Sequence, residues 1–269
     1  MTLLGGRRAT GAGLAPTYAA ARARLGLVAA LFVVALVGWV WTVQEMRGMD
    51  AGPWTDLGGL AWFLGVWVVM MAAMMFPSVA PVVALYTKVT RDASPFSPWL
   101  FVGGYLLTWT GAGLLAYLLG SAATAVLGDR LAWDRGGHAL AATTLFVAAV
   151  YELTPLKDVC LARCRSPLGS FLGSWRGGRT GAVRMGLRNG AWCVGCCWAL
   201  MASLFALGVM SVSWMALVAA TIAAEKTLPW RYLPLATAVL LAGLGLLVLL
   251  APESLPGLTV PPGDPMRMG

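Results

Sequence analysis

Seven apolar runs constrain this chain more than any other feature: Leu25 to Val43, Leu57 to Phe76 or beyond, Trp99 to Leu119, Ala139 to Leu153, Leu187 to Val209, Val212 to Leu228 and Leu233 to Ala251. A helix of about 20 apolar residues crosses the roughly 30 Å hydrocarbon core of a bilayer. Lipid offers the backbone no hydrogen-bond partner, so such runs must satisfy their own N–H and C=O groups as helices. The expected fold is all-α, a polytopic integral membrane helix bundle of about seven transmembrane helices. Composition agrees, with 59% hydrophobic and 11% charged residues and a mean hydropathy of +0.77. A soluble domain has roughly 45–50% apolar and 25% charged residues.

Net charge is +8, yet the basic residues fall between the apolar runs, where they act as topology signals. No basic helix with interleaved aromatics is present, so no nucleic-acid partner is expected. Of the 19 Lys and Arg, all but Arg47, Arg130, Arg135 and Arg267 fall on one side if the runs alternate across the membrane. By the positive-inside rule that side is cytoplasmic, which puts the N-terminus in the cytoplasm and the C-terminus outside. The first run is too long for the roughly 7–15-residue core of a cleaved signal and reads as a retained helix. The expected organisation is a disordered basic tail over 1–24, the bundle over 25–251, and a Pro- and Gly-rich tail over 252–269.

Three of the five cysteines, Cys193, Cys196 and Cys197, fall within five residues in the fifth run. On a helix Cys193, Cys197 and Met201 share a face and Cys196 flanks it. In the second run Met70/Met74 and Met71/Met75 are i, i+4 pairs that make a thioether stripe ahead of Pro77 and Pro81, which free backbone carbonyls. After the fourth run, Thr154 can cap a short helix with Pro155 at its first position and Ser166-Pro167 ending it. That helix should present Leu156, Cys160 and Cys164 on one face and lie at the inner membrane surface, with Lys157, Arg163 and Arg165 meeting water or headgroups. Glu152 is an acid inside a span, a functional candidate whose alternative is a salt bridge to Lys157 or Arg188. Glu225 and Lys226, at the inner end of the sixth run, can both snorkel to the interface. Alternation brings the methionine stripe, the Tyr151-Glu152 end and the cysteine cluster to one depth, near the cytoplasmic face. The spacings Gly186-x-x-x-Gly190 and Ala191-x-x-x-Gly195 let a partner helix press close to the sulfurs.

An odd number of cysteines facing a reducing compartment argues against structural disulfides. Thiolate with thioether is the donor set that selects Cu(I), whereas zinc takes thiolate and imidazole. The candidate ligands are Cys193, Cys196, Cys197, Cys160, Cys164, Met70, Met71, Met74, Met75, Met201 and Glu152. A zinc or iron–sulfur site built on the cysteines is the alternative cofactor. A membrane thiol–disulfide relay and a structural assembly subunit are the alternative functions. The sequence has no nucleotide-binding loop, phosphorylation domain or nucleophile triad, and its longest loop, about 30 residues, is too short for a soluble catalytic domain. No enzymatic activity is expected. The expected partners are a metal ion, the lipid bilayer and a protein that donates or accepts the metal.

Three segments carry a resemblance: Met70-Met71-Ala72-Ala73-Met74-Met75-Phe76-Pro77-Ser78, the stretch from Tyr151 to Pro167 with Cys160 and Cys164, and Gly190-x-x-Cys193-x-Gly195-Cys196-Cys197-Trp198. With Glu225-Lys226-x-x-Pro229, they resemble the motifs of a bacterial family of predicted metal-binding integral membrane proteins, a domain of unknown function sometimes labelled a copper chaperone. The resemblance runs from about Trp62 to Pro229. It implies a multi-pass protein of the bacterial inner membrane concerned with metal, carried by Met70, Met71, Met74, Met75, Cys160, Cys164, Cys193, Cys196 and Cys197.

Overall fold

The structure is a computed structural model that describes residues 14–46, 58–90, 96–127, 136–166, 178–207 and 211–251. Those residues form eight helices and no strand: α1 (Leu14–Glu45), α2 (Leu60–Val89), α3 (Ser97–Leu127), α4 (His138–Glu152), α5 (Pro155–Arg165), α6 (Gly178–Leu207), α7 (Val212–Thr227) and α8 (Leu233–Leu250). Five of them, α1, α2, α3, α6 and α8, are each long and apolar enough to cross a membrane. The fourth apolar run is α4, which reaches span length only together with α5, bent from it by 67°. The sixth is α7, whose 16 residues rise about 24 Å at 1.5 Å each.

Helix ends depart from the apolar runs where a helix continues into charged or small residues. α1 begins at Leu14, ahead of Leu25, because an Ala- and Arg-rich stretch has high helix propensity although it is not apolar. It thus enters the segment expected to be a disordered tail; residues 1–13 and 252–269 lie outside the described residues. α6 begins at Gly178, whose φ of +82° suits glycine, and passes Arg179, Arg184 and Arg188 before its apolar part. α2 runs unbroken through Pro77 and Pro81 to Val89.

α6 packs on α3, α4, α5 and α7, while α2 packs on α1, α3 and α7, and α8 lies along α4. The α3–α6 contact is backbone against backbone. A Cβ on Gly186 would lie 2.9 Å from the Phe101 carbonyl carbon and 3.0 Å from the Tyr105 nitrogen, and one on Gly190 would lie 2.7 Å from Thr108 Oγ1. Glycine at these positions lets the helix axes approach as small residues do in membrane helix pairs. Thr108 Oγ1 then donates to the Leu187 carbonyl at 3.0 Å. The outward faces are apolar, with Val33, Leu36 and Val37 on α1, Leu115 and Leu119 on α3 and Leu246 and Leu250 on α8 all exposed. Charged and sulfur-bearing side chains are instead buried where α2, α4, α5, α6 and α7 meet.

Candidate metal centre

The cysteine cluster is built by one helix. Positions 193, 196 and 197 stand at i, i+3 and i+4 in α6, so their side chains emerge over one turn. Their three Sγ atoms all lie within 4.8 Å of one another and all three residues are buried. Three sulfurs at about 2.3 Å from a central ion would stand about 4.0 Å apart, a contraction that side-chain rotation can supply. Cys196 and Cys197 both direct their sulfurs at the Cys193 carbonyl, at 3.1 and 2.9 Å.

Two further sulfurs extend the cluster. Cys164 Sγ on α5 lies 3.6 Å from Cys196 Sγ, and Met75 Sδ on α2 lies 4.0 Å from Cys193 Sγ. Helices α2, α5 and α6 thus bring the three sequence motifs together at one place, as expected. Within the stripe, Met70, Met71 and Met74 are buried along α2, and Met75 carries it to the cysteines. Met201 is buried one turn beyond Cys197. Cys160 is buried against α6, where its Sγ would stand 2.8 Å from a Cβ on Gly195, so that glycine lets α5 close on the cluster. All five cysteines are free thiols. Tyr151 also ties α4 to this turn, its hydroxyl donating to the Gly195 carbonyl at 2.5 Å.

Several expectations for the ends of α4, α5 and α7 are corrected. α5 does not turn Lys157 outward: Lys157 is fully buried and bridges Glu152 and Glu225, its Nζ 2.7 Å from Glu225 Oε2. Thr237 on α8 donates to Glu225 Oε1 at 3.0 Å. Burial of two carboxylates in apolar surroundings requires a cation between them, and Lys157 is the cation the fold can supply. Glu152 therefore takes the salt-bridge role, and the acid or thiol group able to hold a metal among the described residues comprises the three cysteines without it. The buried face of α5 is Lys157, Cys160 and Leu161, whereas Leu156 is exposed. Arg165, half-exposed, donates to the carbonyls of Glu225 and Leu228, and Arg163 is exposed and lies over the Trp192 ring.

Glu225 and Lys226 do not snorkel. Glu225 is buried, and Lys226 Nζ lies 3.0 Å from Cys193 Sγ, 3.6 Å from Met75 Sδ and 3.4 Å from Ser78 Oγ. The Tyr105 hydroxyl from α3 reaches the same Cys193 sulfur at 3.0 Å. Sequence reasoning missed both residues as parts of the centre. Lys226 carried a usable signal, since it is a charge in a span beside a second charge, the same pattern that singled out Glu152. Tyr105 carried none that separates it from an interfacial aromatic. A cleft lined by Ser78, Tyr105, Cys164, Asn189, Cys193 and Lys226 opens onto this corner of the cluster.

A helical chain with membrane-length segments thus encloses a buried set of soft donors, three thiols from one helix extended by a thiol and a thioether from two others. The chain belongs to the copper chaperone family PpoB2, which it matches over residues 64–248. That span takes in every sulfur named above and extends past the Pro229 limit of the sequence resemblance. No curated protein and no solved structure matches it.

Proposed function

We propose that this protein is a multi-pass protein of the bacterial inner membrane that receives Cu(I) in the Cys193/Cys196/Cys197 cluster and hands it over, without catalysing a reaction. The observation that carries this reading is the mutual approach of the three buried thiols, with Cys164 beside Cys196 and Met75 beside Cys193. Thiolate and thioether sulfurs together favour Cu(I) over zinc. Cys160 and Cys164 are the first stop for an ion exchanged with the cytoplasm, and Met75 continues the path on the other side. Both supports of the topology point to the same face. The C-terminal ends of α4 and α7 converge on the middle of α2 and of α6, an arrangement that seven alternating segments with α4 and α7 crossing would allow. The charge asymmetry then makes that face cytoplasmic and places the N-terminus there.

A thiol–disulfide relay has one observation in its favour, the 3.6 Å separation of the Cys164 and Cys196 sulfurs. Thiol labelling in intact cells, with and without added copper, separates the two readings. Metal handling predicts reduced cysteines that copper protects from the label. Cysteines 164 and 196 found joined by a disulfide, with labelling indifferent to copper, would replace metal handling with electron transfer.

A further inference from the structure

Adjacent residues of α7 serve two separate buried clusters. Glu225 is taken by Lys157 and Thr237, which leaves Lys226 without a carboxylate partner among the described residues. Its ammonium is instead cradled by Cys193 Sγ, Met75 Sδ and Ser78 Oγ, at 3.0, 3.6 and 3.4 Å. These are weak acceptors for a half-buried ammonium, which gives up part of its hydration with little return. They are better donors to a soft metal than to an ammonium. The separation of the two sulfurs, 4.0 Å, is also what two sulfurs each about 2.3 Å from a three-coordinate ion would show.

We propose that Lys226 is a tethered resident cation, occupying a thiolate–thioether position between Cys193 and Met75 that a soft monovalent metal ion takes by displacing it. The inference rests on the metal-handling reading above and adds to it a specific ion exchange. One positive charge leaves the cradle as one arrives, and the Cys193 S–H proton passes to water in the cleft, so Cu(I) or Ag(I) on a thiolate replaces an ammonium on a thiol. Zn(II) has little affinity for the Met75 thioether, so it does not take this position. The cleft that Lys226 already lines with Ser78, Tyr105 and Asn189 opens beside the cradle and gives the displaced ammonium its way to water. No bond to carbon forms or breaks and no electron moves; the ammonium keeps its protons throughout.

The exchange is read directly from Lys226. The full-length protein in detergent is treated with an amine-acylating reagent at increasing Ag(I), a redox-inert stand-in for Cu(I), and Lys226 acylation is measured by peptide mass spectrometry against bound metal. Acylation of Lys226 should rise several-fold as Ag(I) fills the centre, while Zn(II) leaves it at the metal-free level. Met75→Leu keeps the three thiols but removes one side of the cradle, so in that variant Ag(I) should bind the cysteines without exposing Lys226. Ag(I) bound to the wild type with no change in Lys226 acylation would overturn the exchange and leave the metal centre standing. An equal rise in Met75→Leu would overturn the thiolate–thioether position. Absence of bound Ag(I) in the wild type would overturn the metal reading itself, and the exchange with it.

Discussion

The Glu152–Lys157–Glu225 cluster sets how firmly α5 is held against α4 and α7, and Lys157→Met is the change that exposes this. Lys157 is fully buried and both carboxylates are at least as buried as the core around them. Methionine approximates the volume of the lysine stem, so little packing is lost. What is lost is the cation between two buried acids, and removal of one partner of a buried ion pair costs about 3–5 kcal/mol. For a chain of this size that corresponds to a fall in the melting temperature on the order of 10 °C. The fold predicts a partner effect as well. Lys157→Met combined with Glu152→Gln and Glu225→Gln removes the uncompensated charges, and most of the loss should return. The assay is thermal unfolding of the detergent-solubilised variants followed by circular dichroism. A single Lys157→Met variant that melts with the wild type would refute the buried-cluster account. So would a triple variant no more stable than the single one, because the cost would then lie in shape and not in charge.

Two further outcomes test the packing and the topology. Gly186→Ala gains about 1 kcal/mol of helix propensity. It nevertheless sets a Cβ against the α3 backbone, where no rotamer change can relieve it. The helices must part, so Tyr105 should lose its contact with Cys193, and cross-linking of cysteines introduced across α3 and α6 should slow; unchanged cross-linking would count against the close approach. A reporter enzyme fused after Arg176 should be active as a cytoplasmic fusion and one at the C-terminus as an external fusion. Both on one side would remove the seven-segment alternation.

The apolar runs made most of the fold legible, because lipid-facing length and hydrophobicity are written directly in the chain. Thr154 was legible for a local reason: its side chain accepts from the Lys157 N–H at 3.3 Å, the hydrogen bond a capping residue makes. The true starts of α1 and α6 were not, since helices that continue through arginines leave no apolar trace. For the centre, helical spacing was enough to group Cys193, Cys196 and Cys197 on one turn. It could not show that Lys226 faces sulfur while Glu225 faces Lys157, because side chains one position apart diverge by about 100° and only tertiary packing decides where each goes. Snorkelling was the expected escape for both charges, and it failed because each found a buried partner on another helix.

Cu(I) content decides the central claim. The protein is purified anaerobically, loaded with Cu(I), freed of excess ion and analysed for metal beside a Cys193→Ser/Cys196→Ser/Cys197→Ser variant shown by circular dichroism to be folded. The account predicts at least one tightly held Cu(I) per wild-type chain and none in the variant, with zinc failing to compete. Equal copper in the two proteins, or none in either, would contradict it.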